Sequence, residues 1–107
     1  MENQPDLVTI IIPAYNEGET IQDTVRAIKS LKTVAQIIVV NDCSNDLTGA
    51  LAEEAGAEVY NLPHNVGKGG AINFGLNHAK GNIIGFIDGD LGKSAVEVEK
   101  LIIPVIE

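Results

Sequence analysis

Four times along the chain a short run of apolar, largely β-branched residues ends in a polar turn rich in Gly, Asn or Asp. This alternation limits the fold more than any other feature. Leu7 to Ile12 reads as a first strand stopped at Pro13, which cannot donate to a sheet ladder. Ile21, Val25, Ile28 and Leu31 then recur at helical spacing and lay one apolar stripe along a first helix. Ile37 to Val40 is a second strand, followed by a polar turn over Asn41 to Asn45 and a helix over Leu47 to Ala55, closed by Gly56 in the C′ position. Ala57 to Leu62 is a weaker third strand. Asn65 to Gly70 is a glycine-rich turn that opens a helix of small residues reaching about Ala79, and Ile83 to Ile87 is a fourth strand. Ser94 and Glu97 form the S-x-x-E pattern of a capping box, so a last helix is expected there, turning Val98, Leu101 and Ile102 inward until Pro104.

Strands alternating with helices imply parallel strands joined by right-handed crossovers, with helices on both faces. The expected fold class is α/β, a Rossmann-like α/β/α sandwich with a four-stranded parallel sheet. The 107 residues make it one domain over 1–107, enough to bury about two-thirds of the unfolded surface. Ligands of such sheets bind beyond the carboxyl ends of the strands, where the strand order reverses.

Charge narrows the function. Fifteen Asp and Glu against seven Lys and Arg give a formal net charge of -8, which excludes broad contact with nucleic acid or an anionic membrane. Arg26, Lys29 and Lys32 fall near the end of the first helix, where the macrodipole favours cations. A single cysteine, Cys43, rules out an intrachain disulfide, and the polar segment Met1 to Asp6 carries no apolar signal region. A cytoplasmic location is the expectation, and no run approaches the roughly 18 apolar residues of a membrane span.

The polar residues that helical periodicity leaves unexplained cluster in four strand-end segments: 13–17, 41–46, 65–70 and 88–90. All four should meet at one sheet edge, as a nucleotide site requires. Asp88-Gly89-Asp90 puts two carboxylates within reach of one cation, and hard oxygen ligands of this kind suit Mg²⁺ or Mn²⁺ completed by substrate phosphates. A bare D-x-D also suits a solvated acidic turn, but its place opposite the other three loops favours the cation. Gly67-Lys68-Gly69-Gly70 offers backbone N–H groups and one cation to an anion. It is not a P-loop, since Leu62 stands where the first glycine belongs and Gly69 where Ser or Thr should follow the lysine. Asp42 is a short carboxylate suited to a base or ribose hydroxyl, while Ser44 and Asp46 are expected to cap the following helix. Tyr15 could stack on a base or pack the loop. Cys43 reads as a filler, and His64 and His78 lack metal-ligand spacing. An EF-hand over Asp88 to Glu99 is rejected, with Lys93 at the glycine position and a strand in place of the leading helix.

Together, the segments running from Val8 to Glu17, Ile38 to Asp46, Asn65 to Ala71 and Asp88 to Leu91 resemble the nucleotide-sugar half of family 2 inverting glycosyltransferases, in order and at the usual spacings. The lysine-glycine-glycine segment is most similar to that of the polyprenyl-phosphate sugar transferases and the glucosyl-phosphoglycerate synthases. The resemblance implies the nucleotide-binding half of a GT-A fold. It also implies that Pro13, Ala14, Tyr15 and Glu17 line the nucleoside pocket, that Asp42 contacts the base or ribose, and that Lys68 lies near the base or diphosphate. Asp88 and Gly89 would sit beside the ribose and phosphates, with Asp90, helped by Asp88, ligating Mg²⁺ or Mn²⁺. The implied donor is a nucleoside diphosphate sugar, a UDP-sugar foremost. No catalytic residue is assigned, because the family's acceptor site and general base come from a second half that follows. The chain is therefore expected to be truncated before that half and inactive alone, with a longer form membrane-associated. Two departures stand out: Asn41-Asp42 where Asp-Asp is common, and Cys43 where Gly, Asn or Ser is usual.

Two other readings compete. Asp88 and Asp90 after an apolar strand could serve an aspartyl-phosphate phosphatase, although that motif usually sits on the first strand. Alternatively the chain is a non-catalytic association module, self-associating through the apolar segment at Val105 and Ile106.

Overall fold

The computed structural model describes residues 7–95. Strand β1 (Val8–Ala14) leads to helix α1 (Ile21–Lys29), β2 (Val34–Asn41), α2 (Thr48–Glu54), β3 (Glu58–Asn61), α3 (Gly67–Leu76) and β4 (Ile83–Phe86). The four strands are parallel and ordered β3-β2-β1-β4, giving the Rossmann-like sheet expected from the alternation. The helix expected after Ser94, and the apolar segment at Val105 and Ile106, lie outside the described residues. Ser94 itself lies within a short 3₁₀ turn over 92–95, where its hydroxyl donates to the Leu91 carbonyl.

Strand β1 is central, so it is apolar at nearly every position rather than alternating. Val8, Ile10, Ile12 and Ala14 point to one face, where Ile37 and Val39 of β2 and Ile21, Val25 and Ile28 of α1 meet Ala52 of α2. Ile11, Ile38 and Val40 point to the other, where Ala71 and Phe74 of α3 cover them. Helix α3 lies close to the sheet because its inward positions are small: a Cβ built on Gly75 would come 2.7 Å from Ile11 Cγ2. The small-residue composition of this helix is thus a packing device. Helix α2 ends as expected in a Schellman motif, with Gly56 at φ +106°, its N–H on the Glu53 carbonyl and that of Ala57 on the Ala52 carbonyl.

Helix α3 ends at Leu76, short of the expected Ala79, and the end of β1 also differs from the expectation. Strand β1 does not stop before Pro13 but runs through it to Ala14, with Pro13 opposite Val40 of β2. Alternation explains the tolerance. The Ile11 carbonyl accepts the Ile87 N–H on the β4 side, whereas the Ala14 carbonyl accepts the Asp42 N–H on the β2 side. Pro13 therefore turns its missing donor toward β4, whose strand has already ended at Phe86. The proline ends the β1–β4 ladder there, and the following residues leave the sheet.

Candidate functional site

The chain runs outward from β1 through β2 to β3, then returns to place β4 on the opposite side of β1. The reversal falls between β1 and β4, so the loops after these two strands part and leave a crevice. Beyond the strand ends lie the four segments singled out from sequence.

Each loop is tied down by side chains beneath it. The Thr48 hydroxyl accepts the Glu17 N–H at 2.9 Å and donates to Asp46, whose other carboxylate oxygen accepts the Gly18 N–H at 3.1 Å. The Thr48 hydroxyl bond, more than any other contact, holds the Asp46 carboxyl below the usual aspartate range. Asp46 also accepts the Thr48 N–H at 2.9 Å, supporting the first turn of α2 from the residue before its N-cap, Leu47, rather than from the cap position itself. Ser44 does not cap; its hydroxyl accepts the Asn16 N–H at 2.9 Å, joining the loops after β1 and β2. Asn16 returns the contact by accepting the Asn45 N–H at 2.8 Å. Both Asn16 and Cys43 adopt left-handed backbone, at φ +54° and +63°. That conformation suits Asn and strains Cys. It gives the physical reason why Gly or Asn would fit position 43 better.

The amide that ends β2 and the acid that follows it divide their work. Asn41 lies beneath the loop, donating to Asn61 Oδ1 at 2.8 Å and accepting the Ser44 N–H, and it does not line the crevice. Asp42 lines it, but is only 4% exposed. Its two carboxylate oxygens accept the Val66 and Gly67 N–H groups at 2.7 and 2.9 Å, so it anchors the start of α3.

Pro13, Ala14, Tyr15 and Glu17 from the first loop, Asp42 from the second, Lys68 and Ala71 from α3, and Asp88, Gly89 and Asp90 from the last line one crevice of about 340 Å³. That size suits a nucleotide-scale ligand. Asp88 and Asp90 are exposed at its mouth, in the turn that follows β4, where the sequence placed them. Lys68 crosses the crevice, its ammonium 2.6 Å from Asp88 Oδ1. The hydrogen bond to Asp88, and then the charge of that carboxylate, push the lysine above its ordinary pKa. Glu17 titrates above the usual glutamate range, first because it is partly buried and then because Asp90, Asp88 and Asp46 repel its negative charge. Four carboxylates thus face one ammonium, an arrangement that favours a cation.

Sequence reasoning missed Ala71 and the threonines Thr20, Thr24 and Thr48. Thr24 carried a legible signal. It lies three residues after Ile21 and one before Val25, within the apolar stripe, and a hydroxyl buried there needs partners. Tyr15, expected either to stack or to pack, stands 46% exposed at the crevice. His78 stacks on Tyr60 at 4.2 Å between ring centroids, away from the crevice, and His64 is exposed.

The model of glycosyl transferase family 2 matches residues 9–103. The chain belongs to glycosyl transferase family 2. A dolichyl-phosphate beta-glucosyltransferase of Trichomonas vaginalis is 38% identical over 98 residues, covering 78% of this chain and 30% of that protein. Among solved structures, the glucosyl-3-phosphoglycerate synthase of Mycobacterium tuberculosis superposes with a TM-score of 0.83 at 31% identity, over 94% of this chain and 41% of that one. A second structure of that synthase, in complex with Mn²⁺, UDP-glucose and phosphoglyceric acid, gives a TM-score of 0.71 at 31% identity, over 78% and 33% of the two chains. The chain spans about a third of the length of the curated relatives it matches. Nothing in these likenesses supports the phosphatase reading. Among the described residues no helix is long and apolar enough to cross a membrane.

Proposed function

We propose that this family 2 glycosyltransferase domain binds the nucleotide portion of a nucleoside diphosphate sugar, a UDP-sugar foremost, together with Mg²⁺ or Mn²⁺, for transfer of the sugar with inversion. One observation carries the reading: a single crevice at the topological switch gathers every residue expected to contact the donor, from Pro13 to Asp90. The synthase with which it superposes has been solved with Mn²⁺ and UDP-glucose, and also with Mg²⁺ and UDP.

The donor set fits a hard divalent cation. Asp90 and Asp88 offer exposed carboxylate oxygens, with Glu17 behind them, and among the described residues no group of three or more His, Cys, Asp or Glu forms a ready cage. A site of that kind is completed by ligand phosphates, as is usual for Mg²⁺. Asp90 and Asp88 would hold the ion, which when bound supplies positive charge to the leaving diphosphate. Lys68, freed from Asp88, offers its ammonium to the same phosphates. Pro13, Ala14 and Tyr15 form the wall for the nucleoside. The Asp42 carboxylate, committed to the α3 amides, holds Lys68 in place and shares its remaining lone pairs with the base or ribose. Residues 7–95 are the donor unit in this account, and the acceptor and the general base are supplied from outside it.

Titration of the protein with UDP, with and without Mn²⁺, tests the reading. Binding that strengthens at least tenfold with the metal is expected, whereas metal-independent or absent binding would overturn it.

A further inference from the structure

The turn that carries Asp88 and Asp90 is held from below by two hydroxyl groups of α1 and the residue before it. The Gly89 carbonyl, buried between the two acids, accepts the Thr20 hydroxyl at 3.0 Å and lies 2.9 Å from the Thr24 hydroxyl. The same Thr24 oxygen accepts the Gly92 N–H at 2.7 Å, where the backbone turns through φ +59°. Thr24 is fully buried. Its hydroxyl oxygen takes the Gly92 N–H, and its one proton is shared between the Gly89 carbonyl and the Thr20 carbonyl 3.0 Å away, which already accepts the Thr24 N–H. The hydroxyl thus ties both limbs of the turn. We propose that Thr24, assisted by Thr20, is a positioning residue that fixes the 88–92 turn, drawing the Gly89 carbonyl inward so that Asp88 and Asp90 stand outward at the crevice. That the two acids then receive a divalent cation rests on the function proposed above.

The chemistry of the position separates this role from ordinary core packing. Valine has nearly the shape of threonine and would fill the space among Ile21, Val25 and Ile28 equally well. It would leave the Gly92 N–H buried without a partner and the Gly89 carbonyl with one hydroxyl instead of two. Gly89 must also sit low, since a Cβ there would press on Glu17 Cγ and Ile21 Cδ1, both at 3.3 Å. An internal control exists at the other end of the sheet. Thr9, equally buried, donates to Gln36 Oε1 at 2.7 Å and accepts the Gly81 N–H at 2.9 Å, the same bonding pattern far from the crevice.

The test compares Thr24→Val, Thr24→Ser and Thr9→Val with the wild type by two readouts. Amide hydrogen exchange at Gly92 is measured on the protein without ligand, and Mn²⁺ affinity is measured at saturating UDP. Thr24→Val should speed Gly92 exchange and weaken Mn²⁺ binding, each by about tenfold, the equivalent of one buried hydrogen bond. Thr24→Ser should restore both, and Thr9→Val should lower stability while moving neither. Unchanged Gly92 exchange in Thr24→Val, or equal effects of Thr9→Val on both readouts, would overturn the proposal. Should the wild type bind no Mn²⁺ with UDP while Gly92 exchange still responds to Thr24→Val, the clamp stands and the nucleotide function falls. If Thr24→Val does not fold, Thr20→Val carries the comparison. Loss of one of two hydroxyls on the Gly89 carbonyl must then weaken Mn²⁺ binding, and no loss would overturn the clamp.

Discussion

Lys68 and Asp88 close the crevice on each other, with the ammonium 2.6 Å from Oδ1. Both side chains are largely exposed, so the pair adds little to the stability of the fold. Its meaning is functional: Lys68 sits where a cation is wanted and can be displaced. Lys68→Met should leave the melting temperature unchanged and weaken UDP binding in the presence of Mn²⁺ by about tenfold, through loss of a charge-assisted hydrogen bond to phosphate. Thermal unfolding together with calorimetric titration checks both halves. An unaltered affinity would remove Lys68 from the ligand contacts.

Asp42 differs in being structural as well as lining the crevice. Removing its carboxylate strands two amides at the start of α3, those of Val66 and Gly67. Asp42→Ala should therefore cost about 2 kcal/mol of unfolding free energy, and Asp42→Asn, which keeps one acceptor, about half as much. Urea denaturation measures this, and equal stabilities for all three proteins would contradict the anchoring role.

The pH dependence of stability should separate Glu17 from Asp46. The Glu17 pKa is raised in the folded protein, chiefly by burial. A raised carboxyl contributes stability below its unfolded pKa and loses that contribution as pH climbs through the folded value. Glu17→Gln should thus gain stability relative to wild type between the acidic carboxylate range and neutrality. The Asp46 pKa is lowered, mainly by the Thr48 hydroxyl. Its contribution is present above the unfolded pKa and is lost as pH falls through the folded one, so Asp46→Asn should be least stable relative to wild type near neutral pH. Denaturation midpoints at pH 4 and pH 7 on the two variants test the opposite signs.

Cys43 holds left-handed backbone at φ +63° in an exposed turn, with its thiol on the Pro63 carbonyl at 3.5 Å. Glycine relieves that strain at some cost in chain entropy, so Cys43→Gly should raise stability by up to about 1 kcal/mol. It should leave UDP binding unchanged, because residue 43 does not line the crevice. A destabilised variant would show that the thiol contact outweighs the strain.

What could be read from sequence follows from the range of each interaction. Strand runs such as Ile10 to Ile12 and Ile37 to Val40 are legible because the central strands of a parallel sheet are apolar on both faces. The polar residues from Pro13 to Glu17, with Asp42, Lys68 and Asp88 to Asp90, stand out because neither strand nor helix periodicity accounts for them, and topology then delivers them to one edge. Pro13 reads as the stop of β1 in sequence because its tolerance within the strand depends on where β4 ends, which only the register reveals. The double duty of Asp42 and the ties made by Thr24 and Thr48 were hidden for the same reason. Each is a hydrogen bond to backbone 24 to 68 residues away or across a loop, and a side chain's type does not name its distant partner. The departure at Asn41 lies outside the crevice lining, and that side chain serves Asn61 and Ser44.

The central claim is that Asp90 and Asp88 hold a divalent cation shared with the phosphates of a nucleotide in the crevice. Calorimetric titration of UDP into wild type and Asp90→Ala, each with and without Mn²⁺, addresses it most directly. The account predicts Mn²⁺-dependent binding in the wild type and loss of the metal enhancement in Asp90→Ala, with both proteins equally folded. Equal UDP affinity for the two proteins in the presence of Mn²⁺ would contradict it.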